Sequence, residues 1–414
     1  MDNVLAILLA GGAGERLHPL TRDTAKPAVP FGGAYRIIDF TLSNCINSNL
    51  RRIFILTQYK SLDLIRHVRD GWSILSPELG EYIEIIPAMR QTGWYLGTAD
   101  AVFQNTQSIL AEPADQVLIL AGDHIYKMNY RSMMEQHRQF NADITIATTQ
   151  VLPEEAERFG IIEIASDQRV VGFEEKPRHG QSARSAFNPN MVSASMGIYL
   201  FNRDVLVRLL REDAETAGSS HDFGKDVIPR SLRDYRVIAY DFVDINAKQA
   251  RYWRDVGTLD AYYEANMDLV AVTPQLNLYD SRWPIRTRVL QQPPAKFVFA
   301  QEGRRMGVAV DSIVSAGSII SGGRVMHSVL SPGVRVNSYC EVEYSILLPN
   351  AEIGRYSRVR RAIIDSNVKV PESSVIGFSV EDDRRNGYDI TESGIVVVSG
   401  AAPVQIAQTA RSVE

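Results

Sequence analysis

The stretch VLAILLAGGAGERLHPLTRDTAKPAV occupies residues 4–29 of a chain of 414 residues. Its first part, VLAILLA (4–10), is apolar throughout and runs directly into a glycine-rich turn, after which come an arginine and a Lys-Pro pair. An apolar run of this length that ends in glycines predicts a strand buried on both faces of a parallel sheet. The stretch therefore predicts an α/β fold in which the first strand leads into a glycine loop.

As far as about residue 280, further short apolar runs occur that resemble the first predicted strand. The further candidate strands are RIFILTQ (52–58), QVLILAGD (116–123), DITIATTQV (143–151) and MGIYLF (196–201). Segments of helical period lie between them, over 61–70, 99–111 and 130–140. This alternation predicts a mostly parallel, twisted sheet with helices on both sides.

The hydrophobic pattern of the sequence changes after residue 280. Residues 279–298 contain three prolines and no clear period, which is typical of a linker. Aliphatic residues then recur every six positions, with slips to five, at Ile313, Ile319, Val325, Leu330, Val336, Val342, Leu348, Ile353, Val359, Ile364, Val370 and Ile376. A six-residue period predicts a parallel β-helix with three short faces per coil. A β-sandwich of short strands, which would also be rich in Val and Ile, is the alternative.

Composition restricts the class of protein. The net charge of -5 offers no basic footprint for nucleic acid. Two cysteines, Cys45 and Cys340, are too few for a disulfide framework or a cysteine zinc site, which favours the reducing cytoplasm. The short apolar run at 4–10 predicts neither a signal peptide nor a membrane span, so we expect a cytoplasmic protein that binds neither nucleic acid nor membrane.

The glycine loop does not match the two common nucleotide motifs. Leu17 stands where a dinucleotide fingerprint needs its third glycine, and no Gly-Lys pair followed by Ser or Thr occurs. Glycines that admit a ligand close to the backbone, with cations at Arg16 and Lys26, nevertheless suit a polyphosphate. A tight strand-to-helix turn with a surface arginine is the alternative.

Two carboxylates from distant parts of the chain suggest a metal site. Asp123 follows a buried strand, at the sheet edge where α/β proteins bind ligands, and Asp255 precedes a predicted helix start at Thr258. Mg²⁺ takes one or two carboxylates together with phosphate oxygens. Taken singly, either aspartate is more often a turn residue or a helix cap than a metal ligand. Glu175 and Lys176 end another short strand, and simple surface charge is the alternative there.

Together these segments resemble a known family, the bacterial ADP-glucose pyrophosphorylases, also called glucose-1-phosphate adenylyltransferases. The similarity covers residues 3–398 and is carried by LAGGAGERLHPLTRDTAKPAVPFGG, RIIDFTLSN, TQYKS, WYLGTADAV, LILAGDHIYKMNY, FEEKP, SASMGIYLF, HDFGKDVIP, YWRDVGTLDAYYEANMDL, YDSRWPIRT and PPAKFV. The resemblance implies a Rossmann-like nucleotidyltransferase domain over 1–280 and a linker over 281–300. It implies a left-handed parallel β-helix over 301–400, closed by a polar segment over 379–394. Residues 401–414 form a tail whose composition is compatible with disorder.

The resemblance also implies a reaction, in which ATP and α-D-glucose 1-phosphate give ADP-glucose and pyrophosphate with Mg²⁺ as cofactor. The matching positions are Asp123, Lys176 and Arg16 for catalysis; Gly11, Gly12, Arg16, Lys26, Gln58, Tyr95 and Asp100 for ATP; Tyr95, Glu175, Lys176 and Ser195 for glucose 1-phosphate; and Asp123 and Asp255 for Mg²⁺. His124 and His221 are expected to support the sugar site from loops.

Regulation is where the chain departs from the family pattern. The resemblance implies a homotetramer that feeds glycogen or another α-glucan and responds to sugar-phosphate and nucleotide effectors. Many members carry cations where this chain has Ala13, Asp23 and Thr24, and the loop over 87–97 looks short. We therefore expect weaker or altered activation. The surviving cations would be Arg22, Arg384 and Arg385.

Three other functions have to be weighed. A pyrophosphorylase that uses UTP or dTTP would share the glycine loop and the Glu-Lys-Pro triplet. A silent regulatory subunit would be expected to lack Asp123 or Lys176, and both are present. An acyltransferase run by the β-helix would need a histidine there, for which His327 is the candidate.

Overall fold

A computed structural model describes residues 3–12, 14–88, 93–177, 185, 188, 190–246, 251–301 and 305–400. The described chain divides into two compact units, neither of which is continuous in sequence. The first unit takes its residues from 1–12, 40–253 and 281–285, and the second from 13–39, 254–280 and 286–414. The chain thus leaves the first unit directly after Gly12, inside the glycine loop. The domain boundaries given above follow chain order and stay a prediction.

The strands before residue 280 alternate with helices, as expected. They are β1 (Val4–Ala10), β2 (Pro30–Phe31), β3 (Tyr35–Arg36), β4 (Arg52–Thr57), β5 (Tyr82–Pro87), β6 (Gln116–Ala121), β7 (His124–Tyr126), β8 (Ile144–Val151), β9 (Gly160–Ile164), β10 (Val170–Glu175), β11 (Val192–Asn202), β12 (Val237–Asp241) and β13 (Trp253–Asp255). The α-helices of the described chain are α1 (Ile37–Asn47), α2 (Leu62–Gly71), α3 (Thr98–Phe103), α4 (Thr106–Ala111), α5 (Tyr130–Gln139), α6 (Arg203–Ala214), α7 (Ile228–Ser231), α8 (Leu259–Leu269) and α9 (Val380–Arg385).

The first unit is built on a sheet with the order β10-β9-β11-β6-β1-β4-β5, to which β8 and β12 add through β11. Within the run β6-β1-β4-β5 each adjacent pair of strands is parallel, and so is the pair formed by β8 and β12. β11 runs antiparallel to β6, β8 and β9, so the sheet is mixed rather than parallel throughout. The helices α1 to α4 lie between the parallel strands β1, β4, β5 and β6 in the chain, whereas β9, β10 and β11 follow one another without such a crossover helix and pair antiparallel.

The predicted helix over 99–111 is two helices in the structure. Asn105 separates α3 from α4, and its side-chain amide donates to the Ala101 carbonyl at 2.7 Å. In a continuous helix this carbonyl would accept the backbone N–H of residue 105, which here bonds to Val102 instead. The side chain therefore replaces a backbone bond and interrupts the helix.

The chain from residue 296 onward forms the expected parallel β-helix in the second unit. Its strands are β14 (Lys296–Val298), β15 (Ala300–Gln301), β16 (Arg305–Met306), β17 (Val308–Val310), β18 (Ile313–Val314), β19 (Ile319–Ser321), β20 (Arg324–Met326), β21 (Val329–Leu330), β22 (Arg335–Val336), β23 (Glu341–Glu343), β24 (Ile346–Leu347), β25 (Glu352–Ile353), β26 (Arg358–Arg360), β27 (Ala362–Ile364), β28 (Lys369–Val370), β29 (Val375–Ile376), β30 (Asp389–Ile390) and β31 (Val396–Val398). Its three stacked sheets have the orders β14-β19-β22-β25-β28, β17-β20-β23-β26-β29 and β18-β21-β24-β27-β31-β30. Because β14 is one of these strands, the β-helix begins inside the segment expected to be a linker.

The hexad phase assigned from sequence is wrong by one residue in the first coil. Ile313 and Ile319 are half-buried, whereas Val314 and Ile320 pack on the core of the β-helix. Val308 pairs with Arg324 and Arg324 with Glu341, so the first coil takes 16 residues and the next 17. Coils shorter than three full hexads explain why the six-residue spacing slips.

The carboxyl end of the β-helix is covered by α9 and by β30, which pairs antiparallel with β31. The buried carboxylate of Asp383 on α9 accepts from the backbone N–H of Gly377, with oxygen distances of 3.1 and 3.3 Å. Gly377 has φ of 81°, and a Cβ there would lie 1.8 Å from the Arg360 carbonyl oxygen. Glycine is therefore required at this turn. Among the described residues, no helix is long and apolar enough to cross a membrane.

Candidate active site

The loop after β6 carries the first predicted carboxylate. Gly122 donates to the Leu9 carbonyl at 3.1 Å, which places Asp123 at the carboxyl edge of the parallel strands, as the sequence predicts. The Asp123 side chain is 32% exposed, and its Oδ1 lies 3.7 Å from His124 Nε2. A carboxylate at this edge is accessible to a ligand.

Glu175 and Lys176 leave the end of β10 as predicted. Lys176 has φ of 50°, and its backbone N–H donates to the Phe159 carbonyl at 3.0 Å. Its Nζ lies 3.4 Å from Glu175 Oε1, and its side chain is 56% exposed. A lysine held in the left-handed backbone region at a strand end is the kind of outlier that occurs at ligand sites.

Ser195 lies on β11 and is buried, and its hydroxyl donates to the Tyr199 hydroxyl at 3.3 Å. Burial raises the pKa of Tyr199, although its bond to Ser195 acts in the opposite direction. The phenol therefore keeps its proton at neutral pH. Tyr199 in turn packs on Phe223, with ring centroids 5.8 Å apart.

The first unit also contains an aromatic cluster that the sequence did not predict, formed by Trp253, His124 and Phe159. The Trp253 ring packs edge-on to His124 at 5.0 Å and on Phe159 at 5.2 Å. Trp253 Nε1 and His124 Nδ1 are both buried and have no hydrogen-bond partner among the described residues. Buried polar atoms of this kind are normally satisfied, so they fit a ligand hydroxyl, which can both donate and accept.

A second feature missed from sequence is the loop at Asp222. Its Oδ1 accepts from the backbone of Gly224 and Lys225, and its Oδ2 accepts from the Thr98 hydroxyl at 3.0 Å. A Cβ on Gly224 would lie 2.7 Å from Glu175 Oε2. The HDFGKD motif therefore supplies the glycine that lets Glu175 approach this loop, a role visible only in three dimensions.

In the second unit, the predicted phosphate cations surround Asp255. Lys26 Nζ lies 3.0 Å from Asp255 Oδ1, and Arg16 Nη2 lies 3.9 Å from Oδ2. Lys26 is buried, whereas the Arg16 side chain is 68% exposed. We call Arg16, Lys26 and the carboxylate that they pair with, Asp255, the cation cluster. A Cβ on residue 257 would lie 2.8 Å from Asp255 Oδ1, so the glycine at this position leaves room for the cluster.

The glycine loop itself is held by local contacts. Gly14 has φ of 66°, and its carbonyl accepts from the Thr21 hydroxyl at 2.8 Å. At Gly12 an added Cβ would meet nothing within 4 Å, whereas at Gly11 it would contact Gln58 at 3.3 Å. Gly12 thus offers open backbone of the kind that a phosphate group uses.

Gln58, Tyr95 and Asp100 form one hydrogen-bonded group in the first unit. Gln58 Oε1 accepts from Tyr95 N at 2.8 Å, and Asp100 Oδ2 accepts from Leu96 N and Gln104 Nε2, each at 2.8 Å. Burial raises the pKa of the Tyr95 hydroxyl, which accepts from Asn105. Asp100 therefore holds the loop that carries Tyr95.

The three candidate effector cations all belong to the second unit. Arg384 and Arg385 are exposed on α9, where Arg385 Nη1 lies 3.0 Å from Asp382. Burial raises the pKa of Asp365, and the nearby Arg22 opposes this shift. Ala13 and part of the loop over 87–97 lie outside the described residues.

Comparisons with known proteins agree with this architecture. A family model described as nucleotidyl transferase matches residues 5–271, and one described as GlmU-like, C-terminal hexapeptide, matches residues 293–398, in keeping with the left-handed β-helix predicted. A glucose-1-phosphate adenylyltransferase of Koribacter versatilis is 58% identical over 402 residues, 96% of each chain. Proteins of the same name from Rhodopirellula baltica and Methylococcus capsulatus are 52% and 50% identical, over 96% and 95% of this chain and 90% and 93% of theirs.

Proposed function

Because the chain belongs to the nucleotidyl transferases and, within them, to the glucose-1-phosphate adenylyltransferase family, we propose that it makes ADP-glucose from ATP and glucose 1-phosphate. The observation that carries this proposal is similarity over nearly the whole chain to proteins with that name. The presence of Asp123, Lys176 and the cation cluster supports an active enzyme over a silent subunit. An acyltransferase is less well supported, because the His327 ring stacks on Tyr344.

In the proposed reaction, a phosphate oxygen of glucose 1-phosphate attacks the α-phosphorus of ATP in line. The new P–O bond forms as the bond to the β-phosphate oxygen breaks, and the electron pair leaves with pyrophosphate. The nucleophile is already anionic, so the step needs no general base. Catalysis then consists of positioning and neutralisation of phosphate charge.

We assign the sugar phosphate to the first unit. Lys176, with an exposed ammonium, binds the phosphate of glucose 1-phosphate, and Glu175 and Ser195 bind sugar hydroxyls. Trp253 Nε1 supplies a further donor and His124 Nδ1 a further polar contact, since a buried polar atom gains most from a ligand that pairs it. Tyr95 is assigned to the boundary between the sugar and the nucleotide.

We assign the nucleotide to the glycine loop and its cations. Gly11 and Gly12 bring backbone close to the phosphates, and Arg16 and Lys26 neutralise them. Arg16 has the exposure needed to reach a phosphate, while buried Lys26 keeps a fixed position against Asp255. Gln58, Tyr95 and Asp100 shape the neighbouring loop.

Mg²⁺ is the proposed cofactor, with Asp123 and Asp255 as its protein ligands. Carboxylate oxygens are the hard donors that this ion prefers, and a carboxylate paired with a lysine, as Asp255 is, retains further lone pairs. When bound, the ion would neutralise charge on the phosphates of ATP. The two aspartates would hold it, and Lys26 and Arg16 would orient Asp255.

The wider setting follows the family and is equally a proposal. We propose a cytoplasmic homotetramer that supplies ADP-glucose for glycogen or a related α-glucan. Sugar-phosphate or nucleotide effectors are proposed to act through Arg22, Arg384 and Arg385, with weaker activation because cations are absent at residues 13, 23 and 24.

Pyrophosphate release by the purified chain tests the function. Glucose 1-phosphate and Mg²⁺ are supplied with ATP, UTP or dTTP in parallel, and then with a panel of sugar-phosphate effectors. We expect a strong preference for ATP. Activity with UTP or dTTP alone would keep the reaction type and overturn the nucleotide assignment, and silence with all three would favour a regulatory subunit. Strong activation by sugar phosphates at low concentration would contradict the effector hypothesis.

A further inference from the structure

The start of α8 in the second unit adjoins the cation cluster. Thr258 caps this helix by accepting from Ala261 N at 3.2 Å, and Gly257 precedes the cap. A Cβ on Gly257 would lie 2.8 Å from Asp255 Oδ1 and 3.2 Å from Lys26 Nζ. A shift of the first turn of α8 would therefore displace the side chains of Asp255 and Lys26.

One side of α8 is bonded to the β-helix. Asp260 Oδ1 accepts from the hydroxyls of Thr391 and Ser393 at 2.8 and 2.5 Å. One turn later, the buried Tyr263 donates its hydroxyl to the Tyr344 carbonyl at 2.7 Å. Burial raises the pKa of Tyr263 to about 12, so this donor keeps its proton at neutral pH.

Other side chains of α8 are bonded to the segment that carries Lys26. The fully buried Asn266 accepts from Gly32 N at 2.9 Å through its Oδ1, and the Tyr262 hydroxyl donates to the Pro30 carbonyl. Pro30 and Gly32 follow directly on the single 3₁₀ turn Lys26–Ala28. The helix thus contacts both the coils of the β-helix and the segment of the cation cluster.

We infer that α8 is the element through which the β-helix fixes the cation cluster, with Asp260 and Tyr263 as positioning residues for ATP and its metal. The inference rests on the proposed function, because it assigns ATP to this cluster. Neither side chain belongs to the cluster, yet both hold the helix that begins beside it. Catalysis is sensitive to displacements of about 1 Å in groups that position a substrate, which makes such remote ties measurable.

The test compares the KM values of the two substrates in variants that lack the hydrogen bonds between α8 and the β-helix. In Asp260→Ala, which removes two side-chain hydrogen bonds, and Tyr263→Phe, which removes one, we expect the KM for ATP and the Mg²⁺ concentration for half-maximal rate to rise about threefold to tenfold. The KM for glucose 1-phosphate should change less than about twofold, because its proposed residues lie in the first unit. Glu264→Gln, on an exposed position of the same helix, is the matched control and should leave all three unchanged.

A variant of the β-helix itself provides the second arm. Thr391→Val combined with Ser393→Ala removes the same bonds from the far side and should reproduce the effect of Asp260→Ala. Adding Asp260→Ala to this pair should then cause no further rise, since the bonds are already gone. Equal changes in both KM values, or unchanged values for ATP and Mg²⁺, would overturn the inference. A wild-type chain inactive with ATP would instead overturn the proposed function, so the two failures are distinguishable.

Discussion

The two regions assigned to substrates differ in how they are built. In the first unit, the Trp253 ring packs on His124 and Phe159, its Nε1 has no hydrogen-bond partner among the described residues, and the buried Tyr199 hydroxyl pairs with Ser195. In the second unit, the cation cluster packs Lys26 and Arg16 around one carboxylate, with a glycine leaving space. Aromatic rings with isolated polar atoms suit a neutral sugar ring, whereas closely spaced charged side chains suit phosphates. The difference supports the proposal that the sugar phosphate binds to the first unit and the ATP phosphates to the second.

The largest effect is expected at Asp123. Asp123→Asn keeps the shape of the side chain but removes its charge, so we expect kcat to fall by about 10³ or more, with modest changes in either KM. Steady-state kinetics with purified protein measures this, with a thermal melt as a check of folding. Normal turnover in the variant would exclude Asp123 from the site.

Lys26→Ala should have the next largest effect and should act on ATP. The change removes a buried cation 3.0 Å from Asp255, so we expect kcat/KM for ATP to fall by about 10². Lys369→Ala, which removes an exposed lysine from β28 of the same unit, is the control. A loss no larger than that of the control would remove Lys26 from the nucleotide region.

Lys176→Ala tests the sugar-phosphate region in the same way. We expect the KM for glucose 1-phosphate to rise about tenfold to a hundredfold while kcat changes little, because the lysine binds the phosphate in ground and transition states alike. The KM for ATP should stay within about twofold. A larger rise for ATP than for the sugar phosphate would reverse the assignment of the two regions.

Trp253→Phe is expected to have the smallest effect. The ring and its packing on His124 remain, but the unpaired indole N–H is lost, so the KM for glucose 1-phosphate should rise about threefold to tenfold. Comparison with galactose 1-phosphate and mannose 1-phosphate shows whether the N–H reads a hydroxyl. Identical constants in wild type and variant would mean that no substrate group pairs with this atom.

Much of the fold was predictable because burial leaves a direct trace in sequence. The run at 4–10 is a strand with the predicted bounds, since β6 pairs with it over Val4–Leu9 and β4 over Ala6–Ala10. The β-helix was predictable from its six-residue period, but the phase at Ile313 and Ile319 was not. A coil of 16 or 17 residues leaves the position of the shortened turn undetermined by spacing alone.

The site was predictable where a residue type has one chemical use and unpredictable where its role depends on packing. Asp123 and Lys26 could be proposed as site residues because a carboxylate at the end of a buried strand and a lysine after a glycine loop indicate phosphate chemistry. Trp253 and Asp222 were missed, since only the fold shows an indole N–H without a partner or a carboxylate that caps Gly224. The sequence also did not predict that residues 14–39 belong to the second unit, because their position in the chain suggests the first unit.

The cap formed by α9 and β30 has a consequence for behaviour in concentrated solution. A parallel coil ends in exposed edge strands, and such edges template the addition of further strands from other molecules. Here β31 is already paired by an antiparallel strand, and the helix after Gly377 is fastened by the buried Asp383. The cap therefore leaves fewer unpaired strand edges at this end of the β-helix, which disfavours the end-to-end addition of strands from other molecules.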